Sequence, residues 1–297
     1  AARRREWLIG FACAFATLLI WSGFILLTRL GVRSQMPPED LVALRFAVAG
    51  AAMAPWLLRY GLGGLGWPKV LVLSFLAGPC FALAAFYGFV NSPAAHGAAL
   101  MPGTLPLWTV VLAALVIGER INGLKIAGIA LTIGGIAAIS GPDLVAADLR
   151  ALAGSLLFPC ASFAWAVYTV LARRWGVSPM RAAAVVFVFG AAMWLPFYLA
   201  TWGPRVLAAP PVELLVQGVY QGLISTIASI VLYMRAVRAI GAGATTLVTA
   251  AVPGVVTLAA IPLLGEWPTM LTVAGTLLVS AGVVVTVVGV IRRRPDG

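Results

Sequence analysis

About ten apolar blocks of roughly 20 residues follow one another along the chain, each long enough to cross a hydrocarbon core of about 30 Å as a helix. Lipid is the solvent such a chain requires. Its residues are 62% hydrophobic and 10% charged, against about 45–50% and about 25% in ordinary soluble domains, more apolar side chain than one water-soluble core can hide. The blocks place spans at residues 7–27, 38–58, 69–91, 95–117, 121–140, 151–171, 178–202, 212–234, 242–264 and 267–291. Turn-forming residues fall between them, among them Pro37-Pro38, the stretch from Gly61 to Pro68, Gly141-Pro142, Gly203-Pro204 and Pro210-Pro211. No soluble domain fits between any two spans, so the predicted fold is all-α and membrane-embedded. Arg3, Arg4 and Arg5 precede the first block as they would in a secretory signal, but residues 7–27 exceed a signal's apolar core and no polar cleavage region follows. They read as the first span.

Alternate connections carry very different charge. One set, with the two ends of the chain, holds Arg3, Arg4, Arg5, Arg59, Lys69, Arg120, Lys125, Arg173, Arg174, Arg181, Arg235, Arg238, Arg292, Arg293 and Arg294. The other holds only Arg29, Arg33, Arg150 and Arg205, and Arg45 falls inside the second span. This asymmetry predicts a multi-pass inner-membrane protein with both termini cytoplasmic. It also checks the number of spans, since a missed or invented one would mix the two sets. The net charge of +11 is therefore read as topology and not as a nucleic-acid surface, for which a continuous basic face is missing.

The second half of the chain repeats the first. At a shift of 147 residues, Leu100 falls on Leu247, Pro106 on Pro253, Gly118-Glu119 on Gly265-Glu266, Ala127-Gly128 on Ala274-Gly275 and Gly135 on Gly282. At slightly smaller shifts Trp21 meets Trp165, Gly50-Ala51-Ala52-Met53 meets Gly190-Ala191-Ala192-Met193, and Tyr87 meets Tyr233. Two units follow, residues 1–145 and 146–297. Five spans per unit is an odd number, so the two must face opposite ways, the inverted-repeat architecture in which substrate sites lie at the repeat interface.

Ten spans in two halves, Trp21-Ser22-Gly23 in the first span, and a proline followed by Gly-Glu at the end of spans 4 and 9 resemble the drug/metabolite transporter superfamily. Within it the chain is most similar to the EamA-type permeases, and among those to the YddG-like exporters of aromatic amino acids. The resemblance covers essentially the whole chain. It departs from the commoner Trp-Gly pair by inserting Ser22. What it implies is an exporter, with amino acids including aromatic ones as its substrates.

Chemistry-bearing residues are few. His96 is the lone histidine and has no cysteine or carboxylate at metal-ligand spacing, while Cys13, Cys80 and Cys160 all fall inside apolar blocks. Neither disulfide, metal nor cofactor is expected. Every Asp and Glu sits at a span end or connection, no Gly-x-Ser-x-Gly elbow occurs and no phosphate loop points to ATP. An enzyme is not expected, and no catalytic residue is assigned.

Binding residues are sought instead on polar and aromatic stripes at helical spacing. Span 1 offers Thr17, Trp21, Phe24 and Thr28; span 3, Tyr87 and Asn91; span 6, Ser162, Trp165 and Thr169; span 8, Gln221, Ser225 and Ser229. Such faces suit a small amphipathic solute, though small polar residues are also ordinary glue between membrane helices. Trp108 and Trp165 lie near span centres, where the interfacial belt that explains Trp7, Trp56, Trp67, Trp175, Trp202 and Trp267 does not reach. The candidate substrate-binding set is thus Trp21, Tyr87, Asn91, Trp108, Trp165, Gln221, Ser225 and Thr249. Pro106 and Pro253 sit at the centres of spans 4 and 9 and should free the carbonyls of Pro102 and Thr249, either as packing kinks or as kinked, gating segments of a pathway.

Glu119 and Glu266 precede spans 5 and 10 and are expected to stabilise the positive ends of those helices. Arg45 either snorkels outward or serves as counter-charge to a substrate carboxylate. Gly128 and Gly135 mirror Gly275 and Gly282 and predict close helix packing, against the other half or against a second subunit. The oligomeric state is left open. Partners are then a small-molecule substrate and the bilayer, with transport by alternating access driven by the solute's own gradient. A non-transporting receptor or assembly subunit, and a proton-coupled antiporter, are the rival readings.

Overall fold

The chain's helices run from breaker to breaker. The computed structural model describes residues 2–34, 36–119 and 121–291, and Arg120, Arg292, Arg293 and Arg294 of the cationic set lie outside the described residues. Helix α1 spans Ala2–Arg33, α2 Pro38–Tyr60, α3 Trp67–Asn91, α4 Ala94–Ile117, α5 Gly123–Val145, α6 Leu149–Arg174 and α7 Pro179–Trp202. Helix α8 covers Pro211–Thr249, α9 Val252–Leu264 and α10 Met270–Ile291. All regular structure among the described residues is helical. The helices overrun several expected spans because the hydrogen-bond ladder continues past the apolar stretch until a proline or glycine stops it. Prolines open α2, α3, α7 and α8 at their first or second positions, where a missing amide proton costs nothing.

Helix α8 is the departure from ten simple rods. A straight helix of its 39 residues would be about 58 Å long, nearly twice the hydrocarbon thickness. Gly241 divides it with φ 84° and ψ 158°, a conformation open to glycine alone. Residues 211–240 form the eighth span, and residues 242–249 with α9 form the ninth. The ninth span is interrupted again at Ala250-Ala251, just before Pro253. Its counterpart α4 runs unbroken through Pro102 and Pro106. The two central prolines therefore act differently.

The repeat governs packing. The most extensive contacts pair α5 with α10, α1 with α8, α3 with α6, α4 with α6 and α2 with α7. Each pair joins the two halves, and α1·α8 maps onto α6·α3 when they are exchanged. This is the all-α fold of ten membrane-crossing segments in two inverted five-helix repeats. Gly128, Gly135, Gly275 and Gly282 lock α5 to α10 within one chain: a methyl on Gly128 would lie 2.7 Å from the Gly282 carbonyl oxygen, and one on Gly275 would lie 2.8 Å from that of Gly135.

The recurring Gly-Glu has a local cause. Gly118 (φ 77°) and Gly265 (φ 66°) turn left-handed at the ends of α4 and α9. The amide protons of Glu119 and Glu266 then return 3.2 Å to the carbonyls of Ala113 and Ala260.

Wide, π-helical turns occur at matching places in both halves, Leu76–Cys80 within α3 and Tyr220–Ala228 within α8. Such segments break the regular side-chain register and recur at functional sites.

Candidate functional site

One end of the bundle gathers the described cations of the first set, Arg59, Lys69, Lys125, Arg173, Arg174, Arg181, Arg235 and Arg238 among them. There the Lys69 ammonium lies 5.4 Å from the centre of the Trp175 ring, and Arg235 pairs with Glu6 at 2.7 Å. This is the basic end. The far end holds the α1–α2, α3–α4, α5–α6, α7–α8 and α9–α10 connections.

Charges knit the far end together. Glu39 and Asp40 sit in the first turn of α2, where carboxylates are favoured by the helix dipole. Arg205, on a short turn after α7, reaches Asp40 at 2.7 Å and Glu39 at 3.2 Å. The two carboxylates, Asp40 foremost, hold the Arg205 guanidinium well above its ordinary pKa. Tyr198 donates to Asp40 at 2.8 Å and Tyr87 to Glu39 at 2.9 Å. Beside this knot, Arg29 of α1 donates through Nε to Glu266 at 2.7 Å and through Nη1 to the Phe89 carbonyl. The other Glu266 oxygen accepts the Ala94 amide at 2.7 Å.

That last bond corrects an expectation. Glu266 does cap a helix N-terminus, but it caps α4 and not α10. Glu119 pairs with Arg173 and, at 3.8 Å, with Lys125. The cap of α5 falls instead to Asn122, whose side chain accepts the Lys125 amide at 2.9 Å. A carboxylate in a turn serves whichever helix end lies across from it in space.

Arg29–Glu266 and Arg173–Glu119 are the same pair twice. The shift that aligns Trp21 with Trp165 puts Arg29 on Arg173, and the 147-residue shift puts Glu119 on Glu266. Inversion places one pair at each end of the bundle. The far-end side chains are only 14% and 14% exposed, whereas Arg173 and Glu119 are 60% and 36% exposed. Two chemically equal pairs are thus sealed at one end and open at the other.

Beneath the far-end knot lies a polar cluster. Arg45, seven residues into α2 and so about 10 Å from its start, donates through Nη1 to Gln221 Oε1 at 3.3 Å and Ser225 Oγ at 3.2 Å. Gln221 donates to Thr28 at 2.9 Å, and the Arg45 guanidinium lies over the rings of Phe24 and Phe187 at 5.2 and 5.7 Å. Two of the candidate binding residues, Gln221 and Ser225, meet here.

The other candidates lie apart. Trp21 stacks on Tyr233 at 5.5 Å, and Trp165 contacts Phe81 and Tyr168. Trp108 is tied to α6 by an Nε1 bond to the Pro159 carbonyl at 3.1 Å and by edge contact with Phe163. Tyr87 joins the far-end knot, and Asn91 is exposed beyond it. Thr249 is buried, with its hydroxyl turned back to the carbonyls of Thr245 and Thr246. His96 braces α4 to α6 through Ser155 at 3.1 Å.

Sequence reasoning missed the far-end knot. Its only local signal is two adjacent acids opening a helix; Arg205 lies 165 residues away. Gly23 of the Trp21-Ser22-Gly23 string is also explained only in three dimensions. The Tyr220 hydroxyl occupies the place of a side chain there, donating to the Ile20 carbonyl at 3.0 Å.

Comparison with known proteins agrees with the two-repeat helical fold. Residues 8–141 and 152–288 each match the EamA-like transporter family. The chain is 26% identical over 284 residues to an uncharacterized transporter of Archaeoglobus fulgidus, covering 91% of this chain and 94% of that one. It is 27% identical over 195 residues to a probable amino-acid metabolite efflux pump of Escherichia coli, covering 63% and 62% of the two chains. A solved crystal structure of a protein at 21% identity superposes over 98% of this chain and 99% of its own, with a TM-score of 0.63.

Proposed function

We propose, from the premise that the chain belongs to the EamA-like transporter family, that this multi-pass membrane transporter exports small amphipathic metabolites by alternating access. Amino acids, aromatic ones among them, are the proposed substrates. The single observation that carries alternating access is the matched Arg–Glu pair, buried at the far end and exposed at the basic end. Exchange of the two units, 1–145 and 146–297, would bury the second pair and expose the first. In this reading the basic end is cytoplasmic, both termini lie there, and the membrane is the inner membrane. Support for the substrate class comes from the rings of Phe24 and Phe187 over the polar cluster, from the Trp21–Tyr233 and Trp165–Phe81 pairs elsewhere in the bundle, and from the efflux pump among the chain's relatives.

No acidic side chain of the described residues stands at the middle of a helix, so transport follows the solute's gradient without proton exchange. Purified protein in liposomes is expected to move labelled amino acids saturably with no pH gradient imposed. Silence across a panel of amino acids, amines and nucleosides would favour the subunit reading. Accumulation that tracks a proton gradient would make the protein an antiporter.

A further inference from the structure

Arg45 is an ion without a counter-ion. Its side chain is buried, at 6% exposure, and among the described residues no carboxylate lies within 4 Å of it. A guanidinium carries five donors in a planar fork, and here only Nη1 finds acceptors, both of them neutral. Two aromatic faces, Phe24 and Phe187, supply the remaining attraction. A charge inside a membrane protein at such a site is costly unless it is paired during function.

The repeat gives an independent argument. The shift that aligns Gly50 to Met53 with Gly190 to Met193 puts Arg45 on Val185, a fully buried apolar residue. By the shift that aligns Tyr87 with Tyr233, Gln221 falls on Phe75 and Ser225 on Pro79. All three polar members are thus absent from the other half, although the π-helical turn that carries Gln221 and Ser225 has its partner at Leu76–Cys80. Features of the scaffold recur in both halves: the Gly-Glu turns, the interlocked glycines, the Arg–Glu pairs. A polar cluster present once serves something that has a direction of its own.

We infer that Arg45, with Gln221 and Ser225 beside it, is the receptor for the substrate's anionic group, a carboxylate, held about 10 Å below the start of α2 and under the far-end knot. The inference rests on the transport reading and sharpens it: the substrate must carry a carboxylate. Nε and Nη2 of Arg45, which make no hydrogen bond to the described residues, supply the fork that a carboxylate takes in bidentate fashion. Gln221 and Ser225 keep Nη1 oriented when the site is empty. Phe24, packed 6.0 Å from Phe86, adds an apolar wall for the carbon skeleton.

The test uses matched solutes on the full chain in liposomes: phenylalanine, leucine and threonine, each against its carboxamide and its decarboxylated amine. Binding to the detergent-purified protein is read in parallel as a thermal shift. The intact protein should prefer the acids about 10- to 100-fold, the loss that follows when a buried charged donor is left unpaired. Arg45→Gln should lose that preference, its flux of the acids falling to that of their carboxamides, and Arg45→Lys should keep part of it. Equal flux and equal thermal shifts for acids and carboxamides in the intact protein would overturn the inference and leave transport standing, with Arg45 a brace between α2 and α8. So would Arg45→Gln losing every solute alike while Arg45→Lys restores all of them. If no member of any pair moves, the transport of amino acids itself falls, and the inference with it.

Discussion

Replacing Glu266 by glutamine should open the far end of the bundle, and the structure sets the size of the effect. The carboxylate binds Arg29 at 2.7 Å and the Ala94 amide at 2.7 Å, with both charged partners only 14% exposed. Breaking a fully buried pair costs about 3–5 kcal/mol. The residual exposure, and the amide oxygen that glutamine still offers to Ala94, reduce this to about 2 kcal/mol. A ligand-free equilibrium between two states would then move about 30-fold toward the far-open one. Glu119→Gln removes the matched pair with Arg173, which is exposed here and would be buried in the far-open state, so it should move the equilibrium by a similar factor in the opposite sense and leave the far end closed. Leu207 and Trp267 are exposed at the far end. With Cys13, Cys80 and Cys160 replaced by serine, nitroxides at Leu207→Cys and Trp267→Cys report the opening as a longer distance by pulsed electron resonance. Equal responses of the two variants, or an unchanged distance in Glu266→Gln, would refute the assignment of these pairs as opposed gates.

Three further outcomes follow from the same geometry. Gly282→Ala puts a methyl 2.7 Å from the Gly128 carbonyl and should destabilise the fold by about 1–3 kcal/mol, lowering the melting temperature in detergent. Gly134→Ala, which meets open space one residue from the same interface, should leave it unchanged or slightly raised. Trp21→Ala and Trp165→Ala should weaken transport of aromatic amino acids more than that of small ones, read as a ratio of uptake rates. Trp108→Ala should weaken all of them alike, because its indole is bound to the Pro159 carbonyl. Reporter fusions after residue 205 and at the C-terminus should report opposite sides of the membrane, and agreement between them would remove the inverted repeat.

Most of the fold was legible because hydrophobic length and breakers are local signals. The ten apolar blocks and the Pro37-Pro38 and Gly61 stops need nothing beyond neighbouring residues. The unequal fate of the two central prolines was not legible, because Pro106 and Pro253 present the same backbone defect. The difference lies in what surrounds them. Threonine hydroxyls bond to carbonyls one turn back in both helices, Thr104 and Thr109 in α4 as well as Thr245, Thr246 and Thr249, but the last three crowd into five residues just before Pro253, a pattern that bends helices. With Gly241 already non-helical, the second half breaks where the first half stays continuous. The roles of Glu119 and Glu266 were misjudged for a related reason. Proximity in sequence pointed to the helix that follows, whereas the chain carries Glu266 across the start of α4.

For the candidate site the limit is of another kind. Arg45 stands out in any reading, since a lone cation within an apolar span demands an explanation. Its neighbours Gln221 and Ser225 lie 176 and 180 residues away, and the π-helical turn that carries them contains one glycine and no proline to announce it. Yet the repeat makes such residues findable. Trp21 and Trp165 are matched, so aromatic walls exist in both halves and can line a pathway open to either face. Arg45 is unmatched and lies toward one end, so under the proposed binding role a solute held there would present its head to the far end and its apolar body to the walls below. In the proposed cycle a symmetric scaffold would supply the two states. The positions at which symmetry fails supply the orientation of what passes between them.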